Sequence, residues 1–122
     1  MKFILDKNRA ISTQIFEQVC LMILKDKLPP DYKLLSVREF ALEVGVNPNT
    51  IQKTYDLLEE AKVIYSIKGS GWYVSNNIDI VDDIVNKMIV KKVESLVEEL
   101  KTFDVSRKQL IDYLKKGCDC ND

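Results

Sequence analysis

The 122-residue sequence contains no histidine. A chain without histidine can form neither a Ser-His-Asp triad nor a histidine-ligated zinc site, and it has no imidazole general base. Carboxylates are abundant, but nothing in their spacing singles out a catalytic pair. There is also no nucleotide-binding loop. We therefore predict that the protein is not an enzyme, with no catalytic residue, cofactor or metal site.

Cysteine is also scarce, and the three cysteines of the sequence are Cys20, Cys118 and Cys120. An odd number with two of them near the end is not a disulfide framework and indicates a reducing compartment. Cys118 and Cys120 are compatible with metal binding or redox sensing, but two thiols without a third ligand make a poor closed site. A tail without structure is the preferred interpretation. Cys20 lies on an apolar helix face, which favours a buried side chain.

Long apolar runs and a strong charge of one sign are also absent. No run approaches the roughly 20 residues that cross a bilayer, and residues 1–9 lack the apolar core of a signal peptide, so we expect a cytoplasmic protein. Residues 1–77 hold ten Lys or Arg and nine Asp or Glu, a net charge of +1, and residues 78–122 hold eight and ten, a net charge of -2. Any contact with nucleic acid must then depend on where the basic residues lie.

The sequence does contain clear helix signals. Apolar residues recur at steps of three and four between residues 13 and 27, which predicts a first helix with Ser12 as its cap. Pro29 and Pro30 end that helix. Ser36 and Glu39 have the spacing of a capping box, which predicts the start of a short second helix.

A tight turn is predicted after the second helix. Gly45 stands where a helix often ends in a left-handed residue, Asn47 is a good N-cap, and Pro48 suits the first helical position. A third helix should then run to about Ala61. Two helices that meet across such a turn are typical of a helix-turn-helix.

Two short strands are predicted after the third helix. Residues 63–67 and 72–74 are rich in β-branched and aromatic side chains, and Gly69, Ser70 and Gly71 lie between them as a turn. A hairpin directly after a helix-turn-helix is the arrangement of a winged helix. The glycines lie inside a hairpin and not at the start of a helix, so they do not indicate a phosphate-binding loop.

The C-terminal part is predicted to be helical. A long helix is expected at about residues 80–100, and Ser106 and Gln109 form a second capping box before a shorter helix that ends at Gly117. The apolar stripe of the long helix is too broad for two short helices to cover, so we favour a dimer interface over an internal core. The expected dimerisation residues are Val81, Ile84, Val85, Met88, Ile89, Val93, Leu96 and Leu100.

These patterns together predict a mainly α fold with a small β-hairpin. An N-terminal winged helix-turn-helix domain should occupy residues 1–77, a two-helix dimerisation segment residues 78–116, and a flexible tail residues 117–122. In a helix-turn-helix the second helix enters the major groove, and the residues near its N-terminus meet base edges and phosphates.

Residues 10–75 resemble the winged-helix domain of GntR-family bacterial transcription regulators. The matching stretches are residues 35–41 (LSVREFA), 45–51 (GVNPNTI), 55–59 (YDLLE) and 69–74 (GSGWYV). The short C-terminal segment is similar to that of the YtrA-like branch, whose C-terminal helices serve dimerisation and whose members often regulate neighbouring ABC-transporter genes. The DNA contacts implied by this resemblance fall on Ser36, Arg38, Asn47, Asn49, Thr50, Lys53, Lys68 and Gly69.

Three departures from the family pattern concern operator sequence and affinity. Asp31 follows Pro30 where the family usually has glycine, Leu35 replaces a proline before Ser36, and Gln52 stands where some relatives have an arginine. From the resemblance, the last change is expected to remove the phosphate or base contact that the arginine makes in those relatives.

The predicted function is that of a homodimeric, sequence-specific DNA-binding transcription regulator. It would repress a nearby operon, such as an ABC-transporter operon, from a pseudo-palindromic double-stranded operator, and any small-molecule effector would sit at a dimer or domain interface. The alternative, favoured by the near-neutral charge, is a winged-helix module that binds protein and no DNA. Separately from this choice, Arg38 has the alternative of a surface ion pair with Glu39 or Glu43, and Asn47 that of a helix cap.

Overall fold

The computed structural model describes residues 3–25 and 27–118. In these residues the predicted mainly helical fold with a small β-hairpin is confirmed. Packing divides the chain into two compact units, Met1–Asn86 and Lys87–Asp122. In chain order the elements are α1 (Ile11–Leu24), α2 (Val37–Val44), α3 (Pro48–Glu60), β1 (Ile64–Ile67), β2 (Gly71–Val74), α4 (Ile78–Leu100), a 3-10 turn (Lys101–Phe103) and α5 (Arg107–Gly117).

The start of α1 differs from the prediction, and Ser12 as its cap is wrong. Ser12 lies inside the helix and is buried, while the N-cap residue is Ala10, which makes no side-chain hydrogen bond. The buried Gln14 side chain instead links α1 to the segment that precedes it. Its amide accepts from the Asp6 N–H at 2.7 Å and donates to the carbonyls of Asp6 and Arg9 at 2.6 and 3.2 Å. The start of α1 is therefore held by contacts with the preceding segment and not by a side-chain cap.

The junction between α2 and α3 follows the predicted pattern. The Ser36 hydroxyl accepts from the Glu39 N–H at 3.2 Å, and the Glu39 carboxylate accepts from the Ser36 N–H at 3.1 Å, which completes the capping box. The hydrogen bond from the Ser36 backbone is the main reason why the pKa of Glu39 lies below its usual value. Gly45 ends α2 with φ 81, a conformation that favours glycine, and Asn47 caps α3.

The core of the first unit lies between α1, α2, α3 and the hairpin. α3 packs against both other helices and against β1. Phe40 from α2 and Tyr55 from α3 meet edge-on, with ring centroids 5.8 Å apart. Cys20 from α1 is fully buried, as predicted, and burial raises the pKa of its thiol to about 12. Such a thiol behaves as a small apolar side chain and not as a reactive group.

The hairpin is joined to the segment between α1 and α2. β1 and β2 pair antiparallel, with Tyr65 opposite Tyr73. The connecting segment runs beside β2, where Lys33 forms an isolated bridge with Tyr73 and the Val74 N–H donates to the Tyr32 carbonyl at 2.9 Å. The residues that lead into α2 are thus held by the main chain of the hairpin.

The last helix has the predicted cap. The first part of α4 belongs to the first unit, where Val81 and Val85 are buried. In the second unit, a capping box formed by Ser106 and Gln109 starts α5, which ends at Gly117. Among the residues that the structure describes, none of the helices combines the length and the apolar content needed to cross a membrane.

Candidate nucleic-acid interface

One face of α3 is exposed, and the opposite face belongs to the core. Ile51, Tyr55 and Leu58 are fully buried. Side chains three and four positions apart lie on the same side of a helix, so the polar residues of the exposed face form a single row. We call the N-terminal part of this row the α3 polar stripe, and its members are Asn49, Gln52, Lys53 and Asp56.

The two helix caps next to the α3 polar stripe keep donor groups available. The oxygens of Ser36 and Asn47 accept backbone N–H groups, from Glu39 at 3.2 Å and from Asn49 at 2.8 Å. The hydroxyl hydrogen of Ser36 and the amide NH2 of Asn47 are not used by these caps. Both side chains are exposed at a helix N-terminus, where partial positive charge favours phosphate. Capping and phosphate contact are therefore compatible at both positions.

Arg38 lies in the first turn of α2 and is exposed. Within the described part of the chain, no ion pair or hydrogen bond engages its guanidinium, so the surface ion pair considered from the sequence is not formed there. The Glu39 carboxylate is engaged by the Ser36 N–H at 3.1 Å. A guanidinium without an intramolecular partner among these residues can form a bidentate contact with a phosphate or a guanine.

The wing carries exposed basic groups. Lys68 and Gly69 lie at the turn between β1 and β2, and Gly69 has φ 81, with open space where a Cβ would lie. A Cβ on Gly71 would be 3.2 Å from Cε of Lys33, so the lysine stem passes across the start of β2. Sequence reasoning missed Lys33 as a basic residue of this surface, because only the bridge to Tyr73 brings it there.

Asp31 stands where the family usually has glycine, and it keeps the backbone conformation that the turn requires. Asp31 has φ 62, the left-handed conformation in which glycine is usual. Its N–H donates to the Val74 carbonyl at 2.8 Å, and its carboxylate accepts from the Tyr65 hydroxyl at 2.7 Å. The latter bond is the main reason why the pKa of Tyr65 is raised above its usual value. The turn before α2 is therefore held against both strands of the wing.

Contacts to Tyr55 and Trp72 hold α2, α3 and the wing together. The Tyr55 hydroxyl donates to the Leu35 carbonyl at 2.7 Å, and its ring packs edge-on to Trp72 with centroids 5.4 Å apart. The Leu34 N–H donates to the Trp72 carbonyl at 2.8 Å. All eight residues expected to contact DNA belong to this unit. Thr50 is half-buried, and the exposed ones are Ser36, Arg38, Asn47, Asn49, Lys53, Lys68 and Gly69.

The residues expected to form the dimer interface fall into different environments. Val81 and Val85 are buried within the first unit. Their side chains therefore pack inside the chain itself. Half-buried members are Ile84, Met88 and Leu100, and exposed members are Ile89, Val93 and Leu96.

The second unit contains an apolar groove of about 690 Å³. The last turns of α4, the 3-10 turn and α5 form its walls. We call it the tail groove, and its apolar lining includes Val93, Leu96, Val97, Leu100, Phe103, Leu110 and Leu114. Several of these side chains are exposed, so the unit presents an apolar surface.

Two cysteines lie at and after the end of α5. Cys118 is the C-cap residue of α5, and Cys120 lies outside the described residues, as does most of the tail predicted at residues 117–122. In the part of the chain that the structure does describe, no three His, Cys, Asp or Glu side chains are grouped so that they could hold a metal ion.

Comparison with known sequences identifies the family. Residues 11–74 match the family of bacterial regulatory proteins named after gntR. The uncharacterized HTH-type transcriptional regulator YhcF of Bacillus subtilis is 31% identical over 108 residues, which cover 88% of this chain and 89% of the relative. The HTH-type transcriptional repressor YtrA of the same organism is 32% identical over 108 residues, covering 87% and 82%.

Solved structures agree with this assignment. A GntR-family transcriptional regulator from Listeria monocytogenes has a TM-score of 0.81 and 30% identity, over 92% of this chain and 98% of the other. The DNA-binding domain of AraR in complex with operator ORE1 has a TM-score of 0.51 and 30% identity, over 60% and 84%. Both the predicted winged helix-turn-helix fold and the predicted resemblance to short-tailed YtrA-like regulators are confirmed. This chain belongs to the GntR family and is a DNA-binding transcription regulator, not an enzyme.

Proposed function

We propose that this regulator is a homodimer that binds a pseudo-palindromic operator and represses a nearby operon. The observation that carries the proposal is the exposed α3 polar stripe, together with Arg38 on α2 and Lys68 on the wing. Three separate elements of the same unit then offer hydrogen-bond donors or positive charge. DNA recognition needs this combination, because phosphate contacts set the position and base contacts set the sequence preference.

The proposed DNA contacts are the eight residues named from the sequence. Ser36, Asn47 and Lys53 suit phosphate oxygens, because each offers a donor at the surface. Arg38 suits either a phosphate or a guanine. Lys68 and Gly69 would follow the adjacent backbone from the wing. The likeness to the DNA-binding domain of AraR, which was solved in complex with an operator, supports this placement of the DNA contacts.

The proposed dimer rests on the apolar surface of the C-terminal helices. Ile89, Val93 and Leu96 are exposed on α4, and the tail groove adds further apolar side chains. An exposed apolar surface of this kind marks a protein interface. A dimer also suits operator recognition, because two recognition helices can reach half-sites one helical turn apart, or a multiple of it. Val81 and Val85 are left out of the proposed interface, because their side chains are buried in the first unit.

Repression is proposed because the relative YtrA is named a transcriptional repressor. A dimer on a promoter would exclude the polymerase by occupying its site. The protein would act in the cytoplasm, where bacterial operators are found. An ABC-transporter operon is the target class that the resemblance implies, and the genes beside the bound site identify the target.

Selection of bound genomic fragments followed by footprinting tests the proposal. Purified protein should enrich fragments that contain two related half-sites, and the footprint should weaken steeply with added salt, because counterions are released from the phosphates. Absence of any enriched fragment at low salt would contradict DNA recognition by the chain alone. A footprint over a single unrepeated site would contradict the dimer.

Substitution of Arg38 tests one of the proposed DNA contacts directly. Arg38→Ala should weaken operator binding by about 1–3 kcal/mol if the guanidinium reads a base. Arg9→Ala is the matched control, because Arg9 pairs with Glu17 at 3.0 Å beside α1 and lies outside the proposed interface. Equal affinities of both variants and the wild type would exclude Arg38 from the contact.

A further inference from the structure

The α3 polar stripe contains a pair of side chains that the proposed DNA contacts leave out. Gln52 Nε2 donates to Asp56 Oδ1 at 2.9 Å, one helical turn further along. Both side chains are exposed and share the stripe with Asn49 and Lys53. The pair therefore lies on the face of α3 that the proposed function turns towards DNA.

This hydrogen bond determines which way the Gln52 amide points. A carboxylate accepts hydrogen bonds and donates none, so the amide nitrogen must face Asp56. The Gln52 Oε1 atom then points away from the carboxylate. Because a primary amide carries a second N–H, Gln52 keeps one donor beside its Oε1 acceptor. An oriented donor and acceptor are thus displayed on the exposed face of α3.

A donor beside an acceptor matches one base edge in the major groove. Adenine offers N7 as acceptor and the N6 amino group as donor, whereas guanine offers two acceptors there. We propose that Gln52 reads an adenine in each half-site and that Asp56 is a positioning residue that keeps its amide in the reading orientation. The inference rests on the proposed function and adds the base preference of the same surface.

The charge of Asp56 supports a role in selectivity. A carboxylate on a face that meets phosphates is repelled by DNA of every sequence, which lowers affinity in general. Its hydrogen bond to Gln52 acts only on the choice of base. Asp56 therefore lowers non-specific affinity and raises discrimination, and selective binding benefits from both.

Base preferences of three variants test the inference. The wild type should select adenine at one symmetric position, and replacing that adenine should weaken its binding roughly tenfold. Gln52→Ala should lose this preference and keep those at other positions. Asp56→Asn should bind all sequences more tightly and yet discriminate less, because asparagine can pair with either end of the Gln52 amide. Glu60→Gln is the control, since it removes the same charge from α3 without touching Gln52.

The outcomes separate the inference from the proposed function. A wild-type protein that selects no sequence overturns the proposed function itself. A selected half-site whose base preferences are unchanged in Gln52→Ala, or whose Gln52-dependent base is not adenine, overturns only the inference. Discrimination by Asp56→Asn equal to that of Glu60→Gln removes the positioning role of Asp56. Each preference is a ratio measured within one variant, so a partly folded sample does not imitate the effect.

Discussion

Asp31 holds a backbone conformation that usually needs glycine. Its φ of 62 is left-handed, where Asp and Asn are tolerated because their short polar side chains form local hydrogen bonds. The Asp31 carboxylate accepts from the Tyr65 hydroxyl at 2.7 Å, and its N–H donates to the Val74 carbonyl at 2.8 Å. A single residue thus connects the turn before α2 to both strands of the wing.

Two substitutions separate backbone strain from the side-chain contact. Asp31→Ala and Asp31→Gly both lose the hydrogen bond to Tyr65, but only alanine keeps a Cβ in the left-handed conformation. Asp31→Ala should therefore be less stable than Asp31→Gly by about 1 kcal/mol. Urea unfolding followed by circular dichroism measures the difference. Equal stability of the two variants would show that the turn is not held at positive φ in solution.

At the scale of elements, the apolar side chains of α4 are buried near its start and exposed further along. Val81 is fully buried and Val85 is 7% exposed, whereas Ile89 and Val93 are both 53% exposed. The apolar stripe is continuous in the sequence. Its beginning completes the core of the first unit, and nothing within the described chain covers its exposed part to the same degree.

Matched truncations in α4 test this division. Val81→Ala should lower the free energy of unfolding by about 1–3 kcal/mol, because it leaves a cavity in a packed core. Val93→Ala should change it by less than about 0.5 kcal/mol in a sample dilute enough to be monomeric. Chemical denaturation of both variants at the same concentration gives the comparison. A larger loss for Val93→Ala than for Val81→Ala would reverse the assignment.

The local patterns at helix ends were reliable for a physical reason. The caps at Ser36, Asn47 and Ser106 and the left-handed Gly45 form hydrogen bonds with residues two to four positions away, so their spacing in the sequence is sufficient to predict them. The prediction failed at Ser12. There the decisive bonds join Gln14 to Asp6, eight positions away, and no capping rule contains that contact.

At the scale of the whole molecule, operator recognition requires more than one winged domain. Residues 1–77 have a net charge of only +1, so long-range attraction to DNA is weak and affinity must come from specific contacts. Linking two such domains makes the second half-site contact effectively intramolecular. The exposed apolar side chains of the second unit are the surface we propose for that link.

A charge placed in this surface tests the dimer. Leu96→Asp should convert the dimer to a monomer, because an unpaired carboxylate is costly in an apolar interface. Sedimentation equilibrium measures the association, and affinity should fall for the two-half-site operator but not for an isolated half-site. Ser95→Asp adds the same charge at the adjacent exposed position and serves as the control. A Leu96→Asp protein that stays dimeric would place the interface elsewhere.

The sequence by itself determined the order of the elements, the helix-turn-helix junction, the wing and the family, because these depend on periodicity, caps and turns that act over a few residues. It also predicted Arg38 and Lys53 as exposed groups for DNA. Only the tertiary structure brought Lys33 across Gly71 and separated the buried part of the α4 stripe from its exposed part. Both depend on which distant segments pack together, and local spacing does not specify such contacts.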